Sequence, residues 1–259
     1  MFLFKPHKYS SKFNVVFLIL FCVFSQSAFS KTDIIFEGYY KILLGQSHVG
    51  YTIQQYSYDQ KTKQFHTAYY IKTNVVGGGT TEGLKATSTN TFQPISYKYT
   101  SQIGQNLSSI DAKFELDKKN KLKQFMTKSD GKSAKPLNKV LPKGTFLSSF
   151  QTYLMLQKSF KVGTRFQYSA IAEEDGEVYT GQVYVKEKVD YKGQNVYRIL
   201  NEFKGAKYVS LMNDKGEVLK TDSVLQNLST ELVETPAEAT KGYKLDVSAI
   251  KYLFGSLPR

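Results

Sequence analysis

Apolar and polar residues alternate with a period of two over much of this chain. Ile95, Tyr97 and Tyr99 are interleaved with Ser96, Lys98 and Thr100, and Ile110, Ala112, Phe114 and Leu116 with Asp111, Lys113 and Glu115. Side chains on a strand point alternately to opposite faces, so each run predicts a strand with one buried and one wet face. Val183 and Val185 against Tyr184 and Lys186 repeat the pattern, and residues 34–44, 49–58, 65–75 and 196–203 follow it more loosely. Turn chemistry separates the runs: Gly45-Gln46-Ser47, Lys118-Lys119-Asn120, Asp130-Gly131, Glu174-Asp175-Gly176, Lys192-Gly193-Gln194-Asn195 and Asp214-Lys215-Gly216. Such residues supply the positive φ angles and the side-chain-to-backbone bonds of hairpin loops. The short spacing leaves no room for βα crossovers. The expectation is an all-β chain of about ten to twelve strands, folded as a curved antiparallel meander sheet or half-barrel.

One segment reads as a helix. After Pro142-Lys143-Gly144, Thr145 can cap a run that places Phe146, Phe150, Tyr153 and Leu154 on one face, which predicts a helix near 145–158 covering the apolar face of the sheet. Near the end, Thr235-Pro236-Ala237-Glu238 matches a capping box with proline at the first helical position and predicts a short helical turn. The tail from there to Arg259 carries no clear pattern.

Residues 1–30 break the strand pattern. Lys5, Lys8 and Lys12 precede an apolar run from Val15 to Phe24 and a small-residue exit, Ala28-Phe29-Ser30. A bilayer span needs about 17–25 apolar residues, so this segment reads as a cleaved secretory signal and the protein as exported. A single β-rich domain over 31–259 is then expected. The one cysteine, Cys22, lies inside the signal, which leaves the exported chain without a disulfide. Acylation of Cys22 is disfavoured because the bulky Phe21 precedes it.

The chain carries a net charge of +13, of which three units leave with the signal lysines. Arginine is confined to Arg165, Arg198 and Arg259. Specific phosphate recognition on nucleic acid favours the guanidinium fork, so no nucleic-acid partner is expected. Lysine is densest at Lys118, Lys119, Lys121, Lys123, Lys128, Lys132, Lys135, Lys139 and Lys143, with Asp130 the one acid in that stretch. The run reads either as a dock for an anionic envelope surface or acidic partner, or as a solvated hairpin and loop.

Candidate chemistry is sparse. Only His48 and His66 remain once His7 leaves, both in predicted strands, and no nucleophile-elbow glycine pattern surrounds any serine. Two separated histidines without cysteine do not suggest a zinc site, no cofactor is expected, and catalysis is not expected either. Glu173-Glu174-Asp175 reads as the acidic crown of an exposed hairpin, because Asp175-Gly176 is a turn signal. Gly77-Gly78-Gly79 lacks the Gly-Lys-Ser/Thr that a phosphate-binding loop needs and reads as a plain loop.

Three segments carry a resemblance: Leu44-Gly45-Gln46-Ser47-His48-Val49-Gly50-Tyr51, Phe92-Gln93-Pro94-Ile95-Ser96-Tyr97 and Asn213-Asp214-Lys215-Gly216-Glu217-Val218-Leu219. In this order they resemble a family of uncharacterised secreted bacterial proteins whose fold is similar to the lipoprotein-carrier half-barrel, a curved antiparallel sheet closed over a helix. The resemblance implies a Gram-negative periplasmic setting and a concave apolar face able to hold an acyl chain. It implies no catalytic residue.

The leading expectation is therefore a periplasmic binding protein. Its apolar interior, lined by Tyr51, Ile53, Tyr97, Tyr99, Phe150 and Leu154, would accept a lipid or other hydrophobic ligand beneath a rim of lysines. The alternative is an envelope scaffold with a filled core, which meets a protein partner through the lysine-rich stretch or an exposed sheet edge.

Overall fold

The computed structural model describes residues 32–158 and 160–257; the predicted signal segment lies outside the described residues. Fifteen strands form one sheet. The first eight are β1 (Thr32–Leu44), β2 (Ser47–Asp59), β3 (Gln64–Thr73), β4 (Thr80–Thr89), β5 (Pro94–Ile103), β6 (Asn106–Leu116), β7 (Leu122–Ser129) and β8 (Ala134–Val140). A two-residue strand β9 (Phe146–Leu147) leads through a 3-10 turn (Ser148–Phe150) into helix α1 (Gln151–Gln157). The second meander comprises β10 (Arg165–Ala172), β11 (Glu177–Tyr191), β12 (Gln194–Phe203), β13 (Ala206–Met212), β14 (Val218–Ser223) and β15 (Leu228–Val233). Helices α2 (Pro236–Ala239) and α3 (Val247–Phe254) complete the chain.

Every ladder is antiparallel between sequence neighbours, with two exceptions. β15 pairs back onto β1, with Tyr40 opposite Leu232, and β9 lies parallel to β10, with Phe146 opposite Ala170. The strand order therefore runs from β8 through β1, across to β15 and down to β9. The expected curved meander is what forms.

The β8 edge of the sheet meets the β10–β11 turn through side chains rather than through a ladder. Lys139 Nζ on β8 donates to Gly176 O at 2.6 Å and pairs with Glu177 at 2.8 Å, and Lys128 on β7 reaches the same glutamate at 3.5 Å. Gln124 Nε2 also donates to Gly176 O, at 3.4 Å. The edge of β7–β8 thus curls onto the β10–β11 turn and gives the sheet its barrel-like shape.

The core fills the curl. Tyr97, Leu84, Ala112 and Met126 from one half meet Ile171, Val183, Ile199 and Met212 from the other, with Phe146, Leu147 and Phe150 between them. The covering segment therefore lies inside the sheet. It departs from the expected 145–158 helix because Phe146 and Leu147 are taken up by pairing with β10, and Thr145 donates its hydroxyl to Pro142 O (2.8 Å) instead of capping. The carboxylate of Glu173 caps the 3-10 turn in its place, accepting from Ser148 Oγ at 2.6 Å and Ser149 N at 3.1 Å.

A second layer packs on the outer face of β1–β4. Tyr39, Tyr51, Ile53 and Tyr70 are buried there under Ala239, Ile250 and Leu253. The Thr235 half of the expected capping box forms, with Thr235 accepting from Glu238 N at 3.2 Å, while the Glu238 carboxylate pairs with Lys41 at 2.7 Å; Asp246 caps α3 by accepting from Ala249 N at 3.0 Å. Gly255 ends α3 in the left-handed region at φ 76°. Gly83 leaves the space that Leu253 fills, since a Cβ there would lie 3.0 Å from Leu253 Cδ1.

Candidate functional site

One mouth of the barrel is built by three connections that converge over α1. The β4–β5 turn supplies Phe92, the β6–β7 turn supplies Leu116 to Leu122, and the chain leaving β8 supplies Val140 to Phe146. With Leu154 they enclose a hollow of about 900 Å³. Its deep wall is apolar, formed by Phe92, Leu122, Leu141, Phe146 and Leu154, while Lys119, Lys121 and Lys143 stand at its rim.

Local sequence shapes each part. Phe92 holds φ at 61°, a conformation that a bulky L-residue rarely adopts. Thr89 Oγ1 enforces it by accepting from Gln93 N (3.1 Å) and Thr91 N (3.3 Å). The ring so aimed is buried, stacks 5.1 Å from Phe65 and meets Phe150 at a tilt, 6.1 Å away. Asp117 shapes the opposite wall by accepting from Lys119 N (2.8 Å) and Lys121 N (2.9 Å). These backbone bonds, the one from Lys121 first, hold its carboxyl below the usual carboxylate range.

The expected ligand-lining residues do not form one set. Leu154 lines the hollow and Phe150 packs behind it on Phe92. Tyr97 and Tyr99 face the same interior from β5 but lie deeper, Tyr97 with its ring 6.1 Å from Phe114. Tyr51 and Ile53 are on the other face of the sheet, beneath α3. The alternation in β2 locates two faces but cannot tell which is concave when both are buried.

The lysine run also divides. Lys123 pairs with Asp117 at 3.9 Å, and Lys128 and Lys139 close the barrel on Glu177. Lys119, Lys121 and Lys143 rim the hollow, and Lys118, Lys132 and Lys135 are exposed.

The acidic trio departs from the expected exposed crown. Glu174 and Asp175 pair with Lys204 at 2.8 and 2.5 Å, but Glu173 is only 2% exposed. Burial pushes its pKa up, against the opposing pull of the Ser148 and Ser149 donors. Nothing in the local pattern marks Glu173 as different from its neighbours. His66 Nδ1 lies 3.1 Å from Thr87 Oγ1, and His48 sits at the far end of β2. Among the described residues no group of three or more His, Cys, Asp or Glu side chains is placed to hold a metal, and no helix is long and apolar enough to cross a membrane.

A second hollow, about 1130 Å³, lies on the outer face of β10–β13. Arg165 stacks 4.0 Å over the Tyr184 ring at one side, and the exposed Leu200 and Leu225 form its apolar part.

No family model matches the sequence, and no curated protein does. Among solved structures the chain is similar to a β-barrel-like protein from Brucella abortus, of the domain of unknown function DUF1849. The match has a TM-score of 0.54 at 13% identity and covers 76% of this chain and 95% of that one. A DUF1089 family protein from Pseudomonas aeruginosa aligns at a TM-score of 0.35 and 12% identity, over 65% of this chain and 87% of its own. The first likeness shows a β-barrel-like fold.

Proposed function

We propose that this protein is an exported, non-catalytic binding protein that seats the apolar part of an amphipathic anion in the barrel mouth. The observation that carries this reading is the coincidence of an apolar hollow of about 900 Å³ with three rim lysines, none of which is in an ion pair among the described residues. Ligand sites of this kind are concave, mostly apolar and furnished with a few polar groups that orient the occupant. Phe92, Leu141 and Leu154 desolvate a hydrocarbon chain, and Lys119, Lys121 and Lys143 meet its charged end. The resemblance to the lipoprotein-carrier half-barrel agrees with a ligand of acyl type and with a periplasmic setting.

A second reading is supported by the tightly filled interior. Phe146, Leu147 and Phe150 are 2% exposed or less, so the interior beside α1 is filled by side chains. An envelope scaffold would then use the outer hollow of β10–β13 to hold a protein partner.

Native mass spectrometry and lipid extraction on protein exported and purified without detergent separate the two. The carrier reading expects a stoichiometric acyl ligand, or uptake of a fluorescent fatty acid on titration. Leu154→Glu should abolish uptake with the fold intact, because the residue is partly exposed. Replacing Lys119, Lys121 and Lys143 by glutamine should weaken the acid but not the alcohol of equal chain length. A ligand-free mass with no uptake overturns it in favour of the scaffold.

A further inference from the structure

At the opposite end of β2, about 33 Å along the strand from the Tyr58 end, lies a separate hollow of about 630 Å³. Its lining comes from two distant parts of the chain: His48, Lys72, Thr73 and Asn74 from the ends of β2 and β3, and Lys241, Gly242, Tyr243 and Lys244 from the link between α2 and α3. From these residues we infer a binding site for a compact, multiply charged oxyanion of the phosphomonoester type.

Three lysines and a histidine line the hollow, and no acidic residue is among its described lining residues. None of Lys72, Lys241 and Lys244 is in an ion pair among the described residues. The nearest acid in sequence, Asp246, does not line the hollow and caps α3 by accepting from Ala249 N at 3.0 Å. His48 Nε2 is shielded from solvent and has no hydrogen-bond partner among the described residues, a state that is costly for a buried polar atom.

The arrangement is held rather than incidental. Tyr243 pins the α2–α3 link by donating its hydroxyl to His48 O at 3.2 Å, and its ring meets His48 edge-on at 5.2 Å and Tyr51 at 5.6 Å. Tyr243 N donates to Thr240 O at 2.9 Å, and Gly242 takes φ 84°, which closes the turn that carries Lys241 and Lys244. Lys72 Nζ ties the same link to β3 through Lys244 O at 3.1 Å.

The neighbouring glycine loop does not act as a cradle. Gly77 N donates to Asn74 Oδ1 (3.0 Å), Gly78 N to Val75 O (3.1 Å) and Gly79 N to Asn74 O (2.7 Å), so its amides are already engaged. The anion must be met by side chains. Lysines act as compact, strongly hydrated point charges with rotatable donors, and three of them supply enough positive charge for a doubly charged oxyanion without fixing its orientation. The volume exceeds that of bare phosphate and leaves room for the ester's organic group against Tyr243.

Isothermal titration of the intact protein with glycerol phosphate, inorganic phosphate and chloride tests the site. The expected result is binding of the phosphates at concentrations where chloride gives none, weakened about tenfold or more by Lys241→Gln with Lys244→Gln. The His48 imidazole resonances should shift on phosphate addition, and Lys113→Gln with Lys186→Gln, two exposed lysines that line neither hollow, should leave binding unchanged. Vesicles of phosphatidic acid in phosphatidylcholine serve as a competing arm. Displacement of glycerol phosphate by them identifies a lipid headgroup as the source of the anion, and no displacement identifies a free phosphomonoester. Equal response to phosphate and chloride, or unchanged affinity in the double lysine variant, overturns the proposal. Its failure leaves the barrel-mouth reading untouched, because the two sites share no residue.

Discussion

Lys139 Nζ and the backbone oxygen of Gly176, 37 positions apart in the chain and 2.6 Å apart in space, join the β8 edge of the sheet to the β10–β11 turn. Gly176 is buried at this seam with φ 70°, and a Cβ there would lie 2.7 Å from Met126 Sδ and 3.0 Å from Tyr97 Oη.

Gly176→Ala should therefore cost about 2 kcal/mol or more, from left-handed backbone strain plus overpacking. Lys139→Gln should cost no more than about 1 kcal/mol, because Glu177 on the other side of the pair is half exposed. Urea unfolding of the two variants, compared at their midpoints, checks the order. A smaller loss in the glycine variant would show that the seam relaxes freely.

Glu173 gives a signed pH dependence. Burial raises its pKa in the folded protein, so protonation favours the folded state. That contribution is fully present below the ordinary carboxylate value of 4.5 and is lost as pH rises through the folded value. Glu173→Gln keeps an acceptor for Ser149 N–H and removes the charge, so it should gain stability relative to the native protein as pH rises above about 4.5. Glu173→Ala leaves Ser149 N–H buried without its partner and should cost about 1–3 kcal/mol. Thermal melts of the three proteins from pH 4 to pH 8 read both effects, and parallel curves for the native and glutamine forms would refute the assignment.

The outer cover is a stability element. Ile250 is completely buried against the tyrosines of β1–β3, so Ile250→Ala should cost about 2–4 kcal/mol through lost transfer energy and a residual cavity. The neighbouring Tyr252 is 60% exposed, and Tyr252→Ala should change stability by no more than about 0.5 kcal/mol. Calorimetric unfolding distinguishes the pair.

Pro136 guards the free edge of β8. Leu141 N donates to Leu122 O at 2.8 Å, so alternate residues back along the strand direct their N–H groups to β7 and Pro136 faces outward. A proline there offers no donor to an incoming strand. Pro136→Val should raise self-association with little change in monomer stability, measured by sedimentation velocity over a concentration series. An unchanged sedimentation profile would place the protection in the flanking lysines instead.

Ile110, Ala112 and Phe114 are buried and Asp111, Lys113 and Glu115 exposed, as their alternation requires, because a period of two is a local consequence of strand geometry. The turn at Asp175-Gly176 and the cap at Thr235 were legible for the same reason: each depends on residues within a few positions. β4, rich in Thr, and β8, exposed along almost its whole length, carry too little apolar contrast to be seen, and the fold has more strands than the pattern predicts. Tyr51 and Tyr97 have the same local signature, yet one lies under α3 and the other in the barrel interior. Glu173 and Glu174 are adjacent and chemically alike, yet one caps the inserted turn and the other meets Lys204 at the surface. Which face of a strand is concave, which acid is buried and which lysines share a rim are set by contacts between residues far apart in the chain. The pattern along the sequence specified the strands and their two faces, and only the curling of the sheet around α1 decided what those faces enclose.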